Sequence, residues 1–311
     1  MKAVLPALAR ALIEHRLPDA LEVTWVTTRE EATTAMADAE IGWVDLYPHG
    51  LTPEAVAAGT SLKWLFTAIA GVEALDLPTL AARGTVVTNG AGINAIAVAE
   101  YAVLGILAAA KRFDRVVRSA DRHAWPDYAP GRLELFETAA LIVGYGAIGR
   151  LIGERLAAFG VAVTGVTRSG QGDTLTPEAW KARLGGFDWV ILAAPSTDAT
   201  KTLIGADELA AMKPDAWLIN MARGDMVDQD ALIAALTQKT IAGAFLDTVT
   251  PEPLPADHPL WSAPNAIHSM HLSGRSQTKM FQRAAALFLR NLDAFLAGKP
   301  MENVVDLGAG Y

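Results

Sequence analysis

The chain has 311 residues, half of them hydrophobic and under a fifth charged; this excludes a disordered chain and leaves room for two domains. A net charge of −8 gives counterion release on nucleic acid nothing to work with, so DNA and RNA are not expected partners, though a locally positive site could still take an anionic substrate. There is no cysteine, which excludes disulfides, thiolate metal sites and cysteine nucleophiles, and no metal is expected.

The N-terminal segment MKAVLPALARALIEHRL lacks a secretory pattern, because Pro6, Arg10 and Glu14 cut its apolar run. A cytoplasmic protein is expected. Along the chain, short β-branched runs alternate with Ala- and Leu-rich stretches. The predicted strands are 22–27, 40–46, 64–69, 85–88, 139–143, 161–166, 188–192, 215–220, 241–246 and 265–268. Predicted helices include 6–16, 94–112, 147–159, 205–212, 228–237 and 275–297. This alternation predicts parallel sheets covered by helices, and the strands are too many for one typical sheet. Two α/β units are expected, 1–92 with 275–311 and 93–274, linked by the helices 94–112 and 275–297. The run AIAVAEYAVLGILAAA (95–110) falls short of a span of about 20 residues and holds Glu100, so it reads as a buried helix and no membrane is expected.

Residues 140–150, ALIVGYGAIGR, carry the first chemistry. An apolar strand ends at Gly144; Gly146 and Gly149 complete G-x-G-x-x-G; a helix and a second strand, VAVTGV, follow. Gly144 allows the tight turn, Gly146 lets a pyrophosphate approach the backbone, and Gly149 lets the helix pack on the strand. The helix N-terminus favours phosphate. The cofactor loop is thus Gly144, Tyr145, Gly146, Ala147, Ile148 and Gly149. An NAD site wants a carboxylate at the end of the second strand. Here Thr167, Arg168 and Ser169 stand there, a cation and two hydroxyls suited to a 2′-phosphate. NADPH is therefore expected over NADH, with NAD possible.

Three later strand ends carry polar side chains. Arg223 follows WLINMA, Asp247 ends GAFLD with Glu252 between two prolines just beyond, and His271 follows NAIHSM. Open α/β sheets place ligands at such strand ends. Together with GYGAIG, the runs 193–236, 241–261 and HLSG (271–274), and AIAGVEALDL (68–77) with VAEYAVLGIL (98–107), resemble the D-isomer-specific 2-hydroxyacid dehydrogenase family. The first 60 residues carry little of this signal.

The resemblance implies two Rossmann-like, doubly wound α/β domains, one flavodoxin-like and one dinucleotide-binding, with an active-site cleft between them. It implies reduction of a small 2-keto acid, of the glyoxylate or hydroxypyruvate type, to the D-2-hydroxy acid. His271 would be the general acid, Glu252 would hold its ring, and Arg223 would grip the substrate. The loop at Ala70, Gly71 and Val72 would donate N–H groups to the substrate carboxylate. Ala194, Pro195, Thr200, Met221, Ala222, Arg223, Asp247, His271 and Gly274 would complete the cofactor site, Asp247 near the nicotinamide carboxamide. His268 is the rival histidine, and the H-x-S-G ending favours His271. A homodimer through the cofactor domain is implied, with helix 94–112 available for the contact. Tyr47 and His49, after a strand end in the first domain, are candidates for the pocket wall. Three departures stand out: Ser269-Met270 where the family usually has Thr-Pro or Ser-Pro, no acid after the second strand, and Glu73 in place of an aspartate. The alternatives are action on another acid of the same family, and a non-catalytic dinucleotide-sensing scaffold.

Overall fold

The structure, a computed structural model, describes residues 1–46 and 50–310, so Tyr47 and His49 lie outside the described residues. It divides into two units, residues 1–94 with 277–311, and residues 95–276. In the first, strands β1 (Lys2–Pro6), β2 (Glu22–Val26), β3 (Ile41–Trp43), β6 (Trp64–Phe66) and β7 (Val86–Thr88) form a parallel sheet in the order β2-β1-β3-β6-β7. This is the flavodoxin-like winding. A small antiparallel pair, β4 (Asp45–Leu46) and β5 (Gly50–Leu51), lies beside it. Helices α1 (Arg10–Ile13), α2 (Arg29–Met36), α3 (Pro53–Ala58) and α4 (Leu77–Ala82) connect the strands.

Two predictions need correction here. The helix expected over 6–16 is instead a strand to Pro6, a 3₁₀ turn at Ala7–Ala9 and the short α1. The run KAVLP is short and apolar, a pattern that cannot separate strand from helix; its pairing with both β2 and β3 decides it. The strand expected over 40–46 is broken at Val44, where the chain leaves the main sheet.

The second unit starts with α5 (Ala95–Lys111) and α6 (Phe113–Asp121). Its strands are β8 (Ala139–Val143), β9 (Ala162–Val166), β10 (Thr174–Leu175), β11 (Trp189–Leu192), β12 (Trp217–Asn220), β13 (Gly243–Leu246) and β14 (Ala266–His268). All pair in parallel, in the order β10-β9-β8-β11-β12-β13-β14, the dinucleotide-binding winding with one added strand. Helices α7 (Ala147–Ala158), α8 (Ala206–Ala211) and α9 (Gln229–Gln238) complete it. The strands are apolar on both faces because both are covered. Ala140 and Ile142 face α5 and α7, whereas Leu141 and Val143 face α8 and α9. Gly105 admits Phe245 against α5, since a Cβ there would lie 2.6 Å from the ring.

The buried face of α5, from Ala95 to Ala110, is committed to this sheet, leaving Ile96 and Leu104 exposed. Among the described residues no helix is long and apolar enough to cross a membrane. The chain then returns to the first unit with α10 (Met280–Leu296), which starts five residues later than predicted. Phe288 on α10 stacks on Trp64, with centroids 5.2 Å apart, and meets Trp43 and Phe66 in one aromatic core.

Candidate active site

The glycine loop joins β8 to α7. Gly144 has φ +96°, and a Cβ there would lie 2.4 Å from the Ala194 nitrogen, so only glycine fits. Gly146 is different: it is exposed, and a Cβ would meet no protein atom within 4 Å. No packing demands that glycine, and no side chain caps the helix it begins. The first-turn N–H groups of α7 are thus left without a side-chain cap among the described residues, the arrangement a pyrophosphate needs. Tyr145 serves differently. Its N–H bonds the Val166 carbonyl at 2.9 Å, and its ring turns inward onto Gly153 and Gly165, with Arg150 stacked over it at 5.2 Å.

At the end of β9, Arg168 and Ser169 are exposed, while the Thr167 hydroxyl braces its own loop, 2.8 Å from the Thr174 hydroxyl and 3.1 Å from the Gly170 nitrogen. Thr200 is likewise turned inward: its hydroxyl donates to the Pro195 carbonyl at 2.9 Å and accepts from the Thr197 nitrogen at 2.8 Å. Ala194 and Pro195 follow β11, and Met221 and Ala222 follow β12, both of the latter buried.

Arg223 sits on the turn beyond β12. Buried Asn220 shapes that turn, donating to the Arg223 carbonyl at 2.9 Å and accepting from the Ala222 nitrogen at 3.0 Å. The Arg223 guanidinium donates to the Ala222 carbonyl at 2.9 Å. Gly224 lets this turn touch the next loop, since a Cβ would fall 2.0 Å from the Val249 carbonyl carbon. That loop carries Glu252. Gln229, at the start of α9, accepts from the Thr250 nitrogen at 2.8 Å and donates back to its carbonyl. Glu252 uses both oxygens: one accepts from the Val249 nitrogen at 3.1 Å, the other contacts His271 Nδ1 at 2.6 Å. A carboxylate can only accept, so Nδ1 carries the proton and Nε2 is left for a ligand.

His268 has another place. Its Nε2 lies 3.1 Å from the Leu260 carbonyl, its ring rests on Trp261, and burial holds its pKa below the ordinary histidine value. Both histidines border a cavity of about 440 Å³ with Glu252, Leu254 and Trp261.

His271 and its neighbour Met270 both have φ +54°, the left-handed region. For residues other than glycine this costs about 1 kcal/mol or more each. A proline at 270 would need φ near −65° and cannot take this turn. The loop is nonetheless tightly held. Asp247, 2% exposed, accepts from the Ser269 hydroxyl at 2.7 Å, from the Ser273 nitrogen at 3.3 Å and from the Ser273 hydroxyl, and its carbonyl accepts from the His271 nitrogen. Gly274 lies in the 3₁₀ turn that follows.

The sequence model of the D-isomer-specific 2-hydroxyacid dehydrogenase NAD-binding domain matches residues 103–273. The chain belongs to the D-isomer-specific 2-hydroxyacid dehydrogenase family. It is 33% identical to a glyoxylate reductase of Thermofilum pendens, over 88% of this chain and 84% of that one. A structure of a D-isomer-specific 2-hydroxyacid dehydrogenase family protein from Aeromonas salmonicida matches with a TM-score of 0.86 and 28% identity, covering 98% of each chain. An NADPH-dependent glyoxylate/hydroxypyruvate reductase of Sinorhizobium meliloti, solved with NADP and malonate, matches with a TM-score of 0.76 and 29% identity, over 99% of this chain and 98% of that one.

This dehydrogenase is thus an NAD(P)-dependent oxidoreductase of a family that acts on small 2-hydroxy and 2-keto acids, and the match to the NAD-binding-domain model falls within its second unit. The open N-terminus of α7 at Gly146 fits the cofactor's phosphates. In the first unit of the dehydrogenase, the loop at Ala70–Val72 is braced from below. Asn89 donates to the Ala70 carbonyl at 2.7 Å, the Gly90 nitrogen to the Ile69 carbonyl at 2.9 Å, and Val72 is buried in the core. Asn220 and Gln229 were not singled out from sequence, while Ser269 entered only as a departure before the histidine and Ser273 only within HLSG, neither as a partner of Asp247. Their only local signal is a polar residue ending an apolar strand, as in WLIN, or flanking the histidine, as in SMHLS.

Proposed function

We propose that this dehydrogenase reduces a small 2-keto acid, of the glyoxylate or hydroxypyruvate type, to the D-2-hydroxy acid, with NADPH preferred over NADH. The contact of 2.6 Å between His271 Nδ1 and Glu252 carries the reading, because it orients an imidazole whose other nitrogen is available for the substrate oxygen. The chemistry that a bound nicotinamide supplies here is a hydride for C2 of the acid. His271 donates its Nε2 proton to the carbonyl oxygen as that oxygen becomes a hydroxyl, and takes it back in the reverse direction. Glu252 keeps the ring in register through both steps. Arg223 pairs with the carboxylate and stabilises charge growing on the carbonyl oxygen. Amides of Ala70, Gly71 and Val72 bind a substrate carboxylate. Gly144 to Gly149, Ala194, Pro195, Met221, Ala222 and Gly274 line the cofactor through their backbone.

The NADPH preference rests on Arg168 and Ser169, exposed where an NAD site would hold a carboxylate. Turnover of glyoxylate, hydroxypyruvate, pyruvate and phenylpyruvate, measured with both cofactors, tests the whole reading. NADPH should win by at least about tenfold in kcat/KM, as expected for a charge-assisted contact, and Arg168→Ala should erase most of that margin. His271→Ala should lower kcat by about 10²–10⁴. Cofactor binding without turnover across the panel would replace the reductase with a dinucleotide sensor.

A homodimer through the second unit is part of the proposal. With α5 largely buried, the supporting surface shifts to α6 and the segment after it. Phe113, Val117, Trp125, Tyr128 and Phe136 are all exposed there. Sedimentation giving a monomer at micromolar concentration would overturn it.

A further inference from the structure

The reactive histidine sits on a backbone that its own residue types do not favour, and one buried carboxylate holds it there. Ser269 lies two residues before His271 and Ser273 two residues after. Both hydroxyls donate to Asp247, and the Ser273 nitrogen adds a third bond. Both serines and the aspartate are buried. Between the serines, Met270 and His271 take the left-handed conformation, and the His271 nitrogen donates to the Asp247 carbonyl. One residue thus fixes both flanks and the middle of a five-residue stretch. A second anchor, Glu252, fixes the imidazole at Nδ1.

We infer that Ser269 and Ser273, acting through Asp247, are positioning residues that hold the strained Met270–His271 turn and so aim the imidazole for proton transfer. Asp247 then has a task within the protein as well as any contact with the cofactor. The logic is geometric. Two anchors, one on the backbone and one on the ring, define the position of Nε2. With the backbone anchor gone, the left-handed pair relaxes towards the ordinary region that most residues prefer. Nε2 then moves although Glu252 is unchanged. A small misplacement of a reacting group is expensive in rate and leaves binding nearly intact.

The kinetic arm of the test rests on the proposed reductase reading; the spectroscopic arm does not. Ser269→Ala, Ser273→Ala and the double variant are compared with wild type and with Ser269→Thr, which keeps a hydroxyl. Proton NMR of the full chain reads the downfield imidazole Nδ1–H that faces Glu252. It should shift or broaden in the alanine variants and return in Ser269→Thr. With the 2-keto acid turned over fastest, the double variant should lose about tenfold to a hundredfold in kcat, while Kd for NADPH stays within about twofold. The pH profile of kcat/KM should move on the limb that His271→Ala abolishes. An unchanged Nδ1–H signal, with an unchanged pH profile in a folded double variant, would overturn the inference. So would loss confined to NADPH affinity. A wild-type protein that turns over no 2-keto acid would sink the proposed function alone, since the NMR comparison would still decide the positioning.

Discussion

Two buried aspartates, one in each unit, stand just past a strand of the central sheet and are bonded to very different things. Asp45, two residues beyond β3, accepts from the Trp43 indole at 2.9 Å, the Thr67 hydroxyl at 2.8 Å and the Ala68 nitrogen at 2.5 Å. It ties the end of β3 to the end of β6, a link between strands more than twenty residues apart. Asp247 spends its side-chain bonds on Ser269 and Ser273, the flanks of a single histidine. One aspartate fastens a sheet; the other shapes a loop. The same residue type in the same kind of place therefore joins two strands in one unit and holds the loop of His271, the proposed acid, in the other.

The sharpest way to break this contrast is to truncate both residues. Asp247→Ala should cost about a hundredfold in kcat and, because it also strands three buried donors, a loss of stability similar to that of Asp45→Ala. Asp45→Ala strands three donors in the core and should cost about 3 kcal/mol of stability, with much less effect on the kcat of the folded fraction. Denaturant unfolding beside steady-state kinetics separates them. Equal losses on both axes for both variants would erase the distinction.

A smaller effect should appear in the pH dependence of stability, with opposite signs in the two units. Burial pushes the Asp45 carboxyl above the ordinary carboxylate range, against the pull of its three hydrogen bonds. The folded state then holds the Asp45 proton more tightly than the unfolded state. Its contribution therefore falls as pH rises from the ordinary carboxylate value through the raised one. His268 is the reverse. Burial lowers its pKa, the unfolded state binds the proton better, and stability falls as pH drops from the ordinary histidine value through the lowered one. Urea unfolding across pH should show Asp45→Asn removing the first slope and His268→Gln the second. A slope that survives its own substitution would contradict the assignment.

The smallest effect concerns threonine hydroxyls without a partner. Thr52 in the first unit and Thr248, beside Asp247, each bury an Oγ1 with no hydrogen bond among the described residues. Thr→Val at either site should be neutral or stabilising by about 1 kcal/mol, read as a rise in Tm. If Thr248→Val lowers kcat while Thr52→Val does nothing, the hydroxyl beside Asp247 belongs to the proposed catalytic loop.

The two units also differ in how well their sequence could be read. In the second, strands buried on both faces appear as apolar runs, so Ala139–Val143, Trp189–Leu192 and Trp217–Asn220 fall within one or two residues of expectation. In the first, KAVLP, an inner strand of the sheet, was not among the expected strands, and the strand over 40–46 broke at Val44. Short segments there owe their state to neighbours distant in the chain, which periodicity cannot register. The supports of the site were hidden for a related reason. Asn220, Gln229, Ser269 and Ser273 are common polar residues whose importance lies in what they touch.

The sequence alone determined the order of strand, glycine turn and helix that makes a dinucleotide loop, because those demands are steric and local. It also determined that the residues after the second strand, Thr167, Arg168 and Ser169, include a cation and no carboxylate, and that an arginine, a glutamate and a histidine follow successive strand ends. Only the tertiary structure decided that the Glu252 carboxylate meets His271 and that His268 turns to a backbone carbonyl. It alone decided that Met270 takes a conformation closed to proline, with Asp247 holding it. Those outcomes depend on hydrogen bonds between residues brought together by the sheet, and the chain between them carries no local trace of the meeting.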